Sequence, residues 1–276
     1  MEHLNDPLWL GGLALAMAAT GLVSGTLAGL LGVGGGIVIV PLLFNVFPLF
    51  GIPESIQMKV AVATSLATII PTSIQSARKH HAKGAMDMAL LRSIWPSMLA
   101  GVALGTLLAV HVKGEGLTAV FAMVALLVAL NMGFTGIDFK ITDSVPEGPP
   151  RQALGIGIGS VSAMMGIGGG TLGVPLLSMF GYPIRQAVAT ASAFGLIISI
   201  PATIGFVWGG WSDARVPPWS LGYVSLIGFA LIAPSSILAT PLGVRLAHSI
   251  PPLWLKRAFA VFLFATSLRM FWSLFT

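Results

Sequence analysis

Two short stretches of this chain repeat one another inside long apolar runs. Gly32-Val33-Gly34-Gly35-Gly36, followed by Pro41-Leu42-Leu43, returns 134 residues later as Gly166-Ile167-Gly168-Gly169-Gly170, followed by Pro175-Leu176-Leu177. Each glycine costs a helix about 1 kcal/mol relative to alanine, so three in succession favour a break. A break at membrane depth frees N–H and C=O groups that lipid cannot satisfy. Such backbone is tolerated only where protein buries it or where it lines a cavity. Matching interruptions in two halves of a chain point to the binding site of a transporter.

The surrounding composition supplies the membrane. Hydrophobic residues make up 55% and charged residues 8% of the chain, with a mean hydropathy of +0.93. A soluble domain carries about 25% charged residues. Cysteine is absent, which excludes a disulfide framework, a thiolate nucleophile and a Cys-based metal site. Met1 to Asp6 lacks the basic region of a signal peptide, so the segment from Leu8 onward is expected to remain in the membrane. The net charge of +5 is spread over several loops. It reads as membrane topology and not as a surface for nucleic acid.

The expected fold is an all-α integral membrane protein of two inverted repeats, with about 8 full transmembrane helices and 2 short or re-entrant helices after the glycine breaks. The expected full spans are 9–31, 58–77, 88–110, 116–135, 153–165, 186–208, 218–244 and 253–275, with short pieces at 37–50 and 171–180. The polar stretch 136–151 separates a first repeat, 1–135, from a second, 152–276. Lys59-Val60-Ala61-Val62-Ala63-Thr64-Ser65 aligns with Arg185-Gln186-Ala187-Val188-Ala189-Thr190-Ala191 at an offset of 126, so the first repeat carries about eight extra residues around Asn45–Glu54. Basic loops lie at different positions in the two repeats: Arg78, Lys79, His80, His81 and Lys83 in one; Arg245, Lys256 and Arg257 in the other. Because cytoplasmic loops are rich in Lys and Arg, this alternation argues for units inserted in opposite senses. Both termini are then expected outside, with the linker and basic loops inside.

Several motifs have plainer readings. Gly21/Gly25/Gly29, Gly101/Gly105 and Gly155/Gly159 have the spacing of close helix packing. No Lys-Ser/Thr follows either glycine cluster, which excludes a nucleotide-binding loop and hence an ATP-driven pump in this chain. All nine acidic residues fall in loops or at span ends, so no buried carboxylate is expected to relay protons or sodium. No nucleophile–base pair supports an enzyme, no metal site is expected, and His80-His81 lacks the spacing and the Glu of a zinc helix. No cofactor is implied.

A helix that restarts after a break presents free N–H groups and about half a positive charge. The breaks therefore suggest a small-anion site built from Gly34, Gly35 and Gly36 with Gly168, Gly169 and Gly170, at a midplane cavity. The matched hydroxyls of Thr64, Ser65, Thr190 and Ser192 are the candidate side-chain donors, against the alternative that they bond back to their own helices. Thr68, Thr72, Ser73, Gln75 and Ser76 continue a polar track toward Arg78 and Lys79, which would concentrate anions at the inner mouth. The helix ends near Leu31 and Met165 would instead favour a cation, so both signs stay open. The partners implied are a small anion and the lipid bilayer, and a homo-oligomer is compatible with the sequence.

The doubled GVGGG…PLL and GIGGG…PLL, each followed by a Val-Ala-Thr segment, resembles the TauE/SafE family of sulfite and organosulfonate exporters. The resemblance runs from about Trp9 to Phe275 and includes Arg78–Gly84 and Pro251–Arg257. It implies a bacterial inner-membrane carrier exporting sulfite, thiosulfate or sulfonates such as sulfoacetate by alternating access. An anion channel and a non-transport membrane scaffold are the competing readings.

Overall fold

The computed structural model of the chain describes residues 7–31, 35–82, 84–134, 142, 144–246 and 252–275. Gly34, the acidic amino-terminal residues, Asp138 and Asp143 of the linker, and His248 lie outside them. Among the described residues ten α-helices follow in order: α1 (Pro7–Leu31), α2 (Gly36–Val46), α3 (Glu54–Ala82), α4 (Met88–His111), α5 (Gly114–Phe134), α6 (Pro149–Met165), α7 (Gly169–Met179), α8 (Ile184–Gly210), α9 (Leu226–Leu246) and α10 (Pro252–Trp272). Five described segments, 54–82, 88–111, 114–131, 185–210 and 226–243, are long and apolar enough to cross a bilayer. The expectation of a span over 218–244 needs correction. Residues 220–225 form a two-strand turn, β1 (Ser220–Leu221) and β2 (Val224–Ser225), and the helix starts only at Leu226. Positive φ at Trp219 and Gly222 turns the chain there.

The element order is the same in both halves: long helix, break, short helix, then three long helices. The extra residues of the first half form a 3₁₀ turn at Phe47–Phe50, where the second half passes directly from α7 to α8. The halves then exchange partners. Helix α1 packs on α9, α4 on α6, α3 on α8 and α5 on α10. The glycine stripes form the first two seams. A Cβ at Gly21 would strike Ser235 and one at Gly25 would strike Ser236, while Gly101 faces Ile156 and Gly105 faces Ser160. Rising numbers on both sides show that α1 runs parallel to α9, and α4 to α6.

Helices α3 and α8 run antiparallel. Thr190, early in α8, bonds to Asp87 just past the end of α3, and Thr64, in the first half of α3, bonds to Ser225 in the turn whose Tyr223 amide folds back onto Phe206 of α8. Midway along the pair, Gly195 abuts the hydroxyl of Ser73. These two helices are the frame on which the broken ones are mounted.

Both broken pairs turn back. At the start of α6, Arg151 donates to Ser93 Oγ at 3.1 Å, and Tyr182, just past α7, donates to Asp87 at 2.7 Å. Asp87 and Ser93 belong to the same end of α4, so α6 and α7 enter and leave at one end of the molecule. Helix α2 likewise runs back along α3, from Gly36 beside Ile69 to Phe44, whose carbonyl accepts from Gln57. Gln57 is at the opposite end of the α3–α8 frame from Asp87. Two hairpins thus reach inward from opposite ends.

Candidate functional site

The hairpin tips meet. A Cβ at Gly36 would lie 2.6 Å from the Gly166 carbonyl oxygen and 2.7 Å from Ile69 Cδ1. Gly35 precedes α2 with φ 74°, and no side chain caps that helix. Its carbonyl accepts from Val38 and Ile39 at 3.0 and 3.1 Å, so the amides of Gly36 and Ile37 come ahead of the first intrahelical donors. Gly168 precedes α7, again with no side-chain cap, and its carbonyl accepts from Thr171. Gly166 ends α6 at φ 68°, a left-handed conformation that a side chain strains. Gly35, Gly36 and Gly166 through Gly170 are all buried. The flanking helical segments 60–77, 152–165 and 186–210, and α2 and α7 themselves, contain no Asp, Glu, Lys, Arg or His.

The four expected hydroxyls are engaged in different ways. Thr64 Oγ1 accepts from the Ser225 amide and Thr190 Oγ1 from the Asp87 amide, each at 3.0 Å. Ser225 and Asp87 in turn cap α9 and α4, accepting from Gly228 and Leu90. The matched threonines are therefore struts, each tying one long helix to the start of a helix in the other half. Ser65 donates its proton to the Gly166 carbonyl at 2.7 Å, and Ser192 donates to Ala189 at 2.7 Å. A hydroxyl has one proton, so neither serine has a donor to spare in this conformation. Thr68 and Thr72 of the polar track also bond back within α3. Arg78 and Lys79 are exposed near the end of α3.

The sequence reading missed a second matched pair. Asp87 and Asp213 are 126 residues apart, the offset that relates Thr64 to Thr190. Each accepts from one of the two tyrosines in the chain: Tyr182 at 2.7 Å and Tyr223 at 2.8 Å. Burial works against the ionised Asp87 carboxylate, but hydrogen bonds from Leu90 and Tyr182 outweigh it and hold its pKa below the usual range. Asp213 is held well below that range, chiefly by Arg215, which donates through Nε at 2.8 Å and Nη2 at 2.7 Å. Burial and the adjacent carboxylates push both tyrosines up to about 12. Lys59, matched to Arg185, was also passed over. It is buried, donates to the Val110 carbonyl at 2.5 Å and lies 5.6 Å from the centre of the Tyr223 ring. Among the described residues no three His, Asp or Glu side chains converge as metal ligands.

The geometry supplies oriented backbone donors, a seal of long helices and a polar latch at either end. Comparison with known proteins adds a lineage. A family profile described as Sulfite exporter TauE/SafE matches residues 17–270. A probable membrane transporter protein of Haemophilus influenzae is 34% identical over 91% of this chain and 95% of its own length. Probable membrane transporter proteins of Methanocaldococcus jannaschii and Bacillus subtilis are 28% and 26% identical, over 86% and 70% of this chain and 87% and 78% of their own lengths. No solved structure gives a significant match.

Proposed function

Since the chain belongs to the sulfite exporter TauE/SafE family, we propose that it is a secondary transporter of small sulfur-containing anions: sulfite, thiosulfate or sulfonates. The observation that carries this reading is that the uncapped start of α2 at Gly36 packs on Gly166 and Ile167, just before the equally uncapped start of α7 at Gly169, among helical segments without charged side chains. Each start offers oriented N–H groups and about half a positive charge. An anion is stabilised there without a buried lysine or arginine, whereas at the α6 end of the same tip the carbonyls of Ser162, Ala163 and Gly166 already accept from Ile167, Gly166 and Ser65.

The transport cycle follows from the partner exchange. The two halves are inverted repeats, each with one re-entrant hairpin and three crossings, and they rock about the tips to expose the anion alternately at either end. The antiparallel α3–α8 pair and the entry of the hairpins from opposite ends support this arrangement. Burial of both tips favours a carrier over an open pore. In the bacterial inner membrane the end carrying Arg78, Lys79 and Arg151 faces the cytoplasm, and the end carrying Lys113 and Asp213 faces outward. An inside-negative potential then favours export by about 2.3 kcal/mol per charge per 100 mV.

Uptake of sulfite, thiosulfate and sulfoacetate into proteoliposomes tests the reading, with Gly35→Val and Gly169→Val compared at matched folded content. Saturable flux with counter-transport is expected in the native protein, and its loss in both variants. Unchanged flux in the variants sinks the glycine site, and non-saturable flux favours a channel. Accessibility labelling that puts position 113 or 213 in the cytoplasm sinks the topology.

A further inference from the structure

Seven buried side-chain oxygens among the described residues have no hydrogen-bond partner, and only two of these, Ser162 Oγ and Ser199 Oγ, belong to residues with no exposed surface. Serines within helices ordinarily bond back to a carbonyl one turn earlier, as Ser24, Ser97 and Ser192 do here. A buried hydroxyl that forgoes this bond asks for a missing partner.

Both lie at the hairpin tips. The Ser162 carbonyl accepts from the Ile167 amide at 3.1 Å, which puts Ser162 one turn before the break at Gly166–Gly168. Its counterpart in the first half is Ala28, whose Cβ would be 3.4 Å from a Cβ at Gly35, beside the start of α2. In the second half Ser162 holds the corresponding place, one turn before the break that precedes α7. Ser199 is reached through the register of α3 and α8. Ser73 faces Gly195 across the antiparallel pair. One turn along α8 and one turn back along α3 bring Ser199 level with Ile69, the side chain against which Gly36 is packed. One unpartnered hydroxyl thus stands a turn from the break before α7, and the other level with the side chain that packs on the start of α2.

We infer that Ser162 and Ser199 are the side-chain ligands of the transported anion, and that the site is matched to a singly charged oxyanion group, a sulfonate or hydrogensulfite, which removes the dianion thiosulfate from the proposed substrates along with sulfate. This rests on the reading that the two helix starts hold the anion. Two starts at about half a charge each sum to roughly one positive charge, and at the α6 end beside them the carbonyls of Ser162, Ala163 and Gly166 are already taken by hydrogen bonds. No ionised side chain on the surrounding segments adds to it. The cost of stripping water from an ion rises with the square of its charge, so a dianion meets a much larger penalty for the same compensation.

The test is exchange of labelled methanesulfonate in proteoliposomes by the native protein, Ser162→Ala, Ser199→Ala and, as a remote unpartnered hydroxyl, Ser220→Ala. Each of the first two variants is expected to raise the half-saturating concentration about tenfold, the worth of one hydrogen bond to a charged ligand. Ser220→Ala is expected to leave it unchanged. Thermal midpoints should hold or rise in the serine variants, since an unpaired hydroxyl is being removed. Sulfate should compete at least about tenfold more weakly than methanesulfonate, and competition by sulfite should weaken as rising pH converts hydrogensulfite to the dianion. Unchanged half-saturation in both serine variants, or its rise only together with a lower thermal midpoint, overturns the serine assignment. Equal competition by sulfate overturns the charge match. In either case flux in the native protein leaves the transporter standing, whereas no exchange of methanesulfonate or hydrogensulfite brings down both readings.

Discussion

The two ends of the α3–α8 pair are built from the same parts and tied in different ways. At one end Thr190 holds the Asp87 amide, and the Asp87 carboxylate accepts from Tyr182 in the turn between α7 and α8. At the other end Thr64 holds the Ser225 amide, but the Asp213 carboxylate finds Arg215 and Tyr223 within its own loop. The first carboxylate joins two halves of the chain; the second organises one loop. Separating the halves at the Asp87 end therefore breaks the carboxylate's own hydrogen bond, whereas at the Asp213 end the charged hydrogen bond it breaks is the longer one from Arg215 to Ser55, at 3.3 Å.

The comparison can be broken first where the ends share a scaffold. Gly25→Val and Gly105→Val drive a Cβ into the facing backbone of Ser236 and Ser160. Each is expected to destabilise the protein by about 3 kcal/mol, read as loss of the folded peak in size-exclusion chromatography. If one seam tolerates valine, the partner exchange is not symmetric in energy. Next come the struts. Thr64→Val and Thr190→Val keep shape but leave a buried amide without its acceptor, at about 1–3 kcal/mol each in chemical unfolding. Equal costs would show the struts to be equivalent despite their different surroundings.

The carboxylates separate the ends more finely. Tyr182→Phe should cost about 1 kcal/mol and Tyr223→Phe less, because Asp213 keeps both bonds from Arg215. A larger loss for Tyr223→Phe would reverse the ranking. The smallest effect is with pH. Both carboxylates have depressed pKa values when folded. The stability they contribute is therefore present above the ordinary carboxylate value of about 4 and is lost as pH falls through each folded value. With Asp213 held well below by Arg215, acidification should loosen the Asp87 end first. Both tyrosines are raised to about 12, so their share is complete below the ordinary value of about 10 and is lost as pH rises toward the folded one. Melting temperature against pH, for the native protein and Tyr182→Phe, reads both limbs.

Much of the frame was legible because glycine and apolar length act locally. The two short helices and the eight long segments became helices near the expected positions, apart from the late start of α9, and in the second half the expected break falls between Met165 and Gly169. The packing role of the Gly21, Gly101 and Gly155 stripes was legible for the same reason. What a hydroxyl bonds to was not. Thr64 and Thr190 meet amides 161 and 103 residues away, and nothing in their own turns of helix announces it. Asp87 and Asp213 were passed over as loop charges, although their offset of 126 was the one already in hand. Lys59 was hidden by its place in an alignment read for threonines.

The exchange of partners has a bearing on how such a chain is assembled. The first half leaves the ribosome with α1 and α4 complete but with neither of their seams closed, since α9 and α6 have yet to be made. Each half is an unfinished object whose missing surfaces are carried by the other. A gene encoding one half alone would therefore yield a protein able to close its seams only on a second copy of itself.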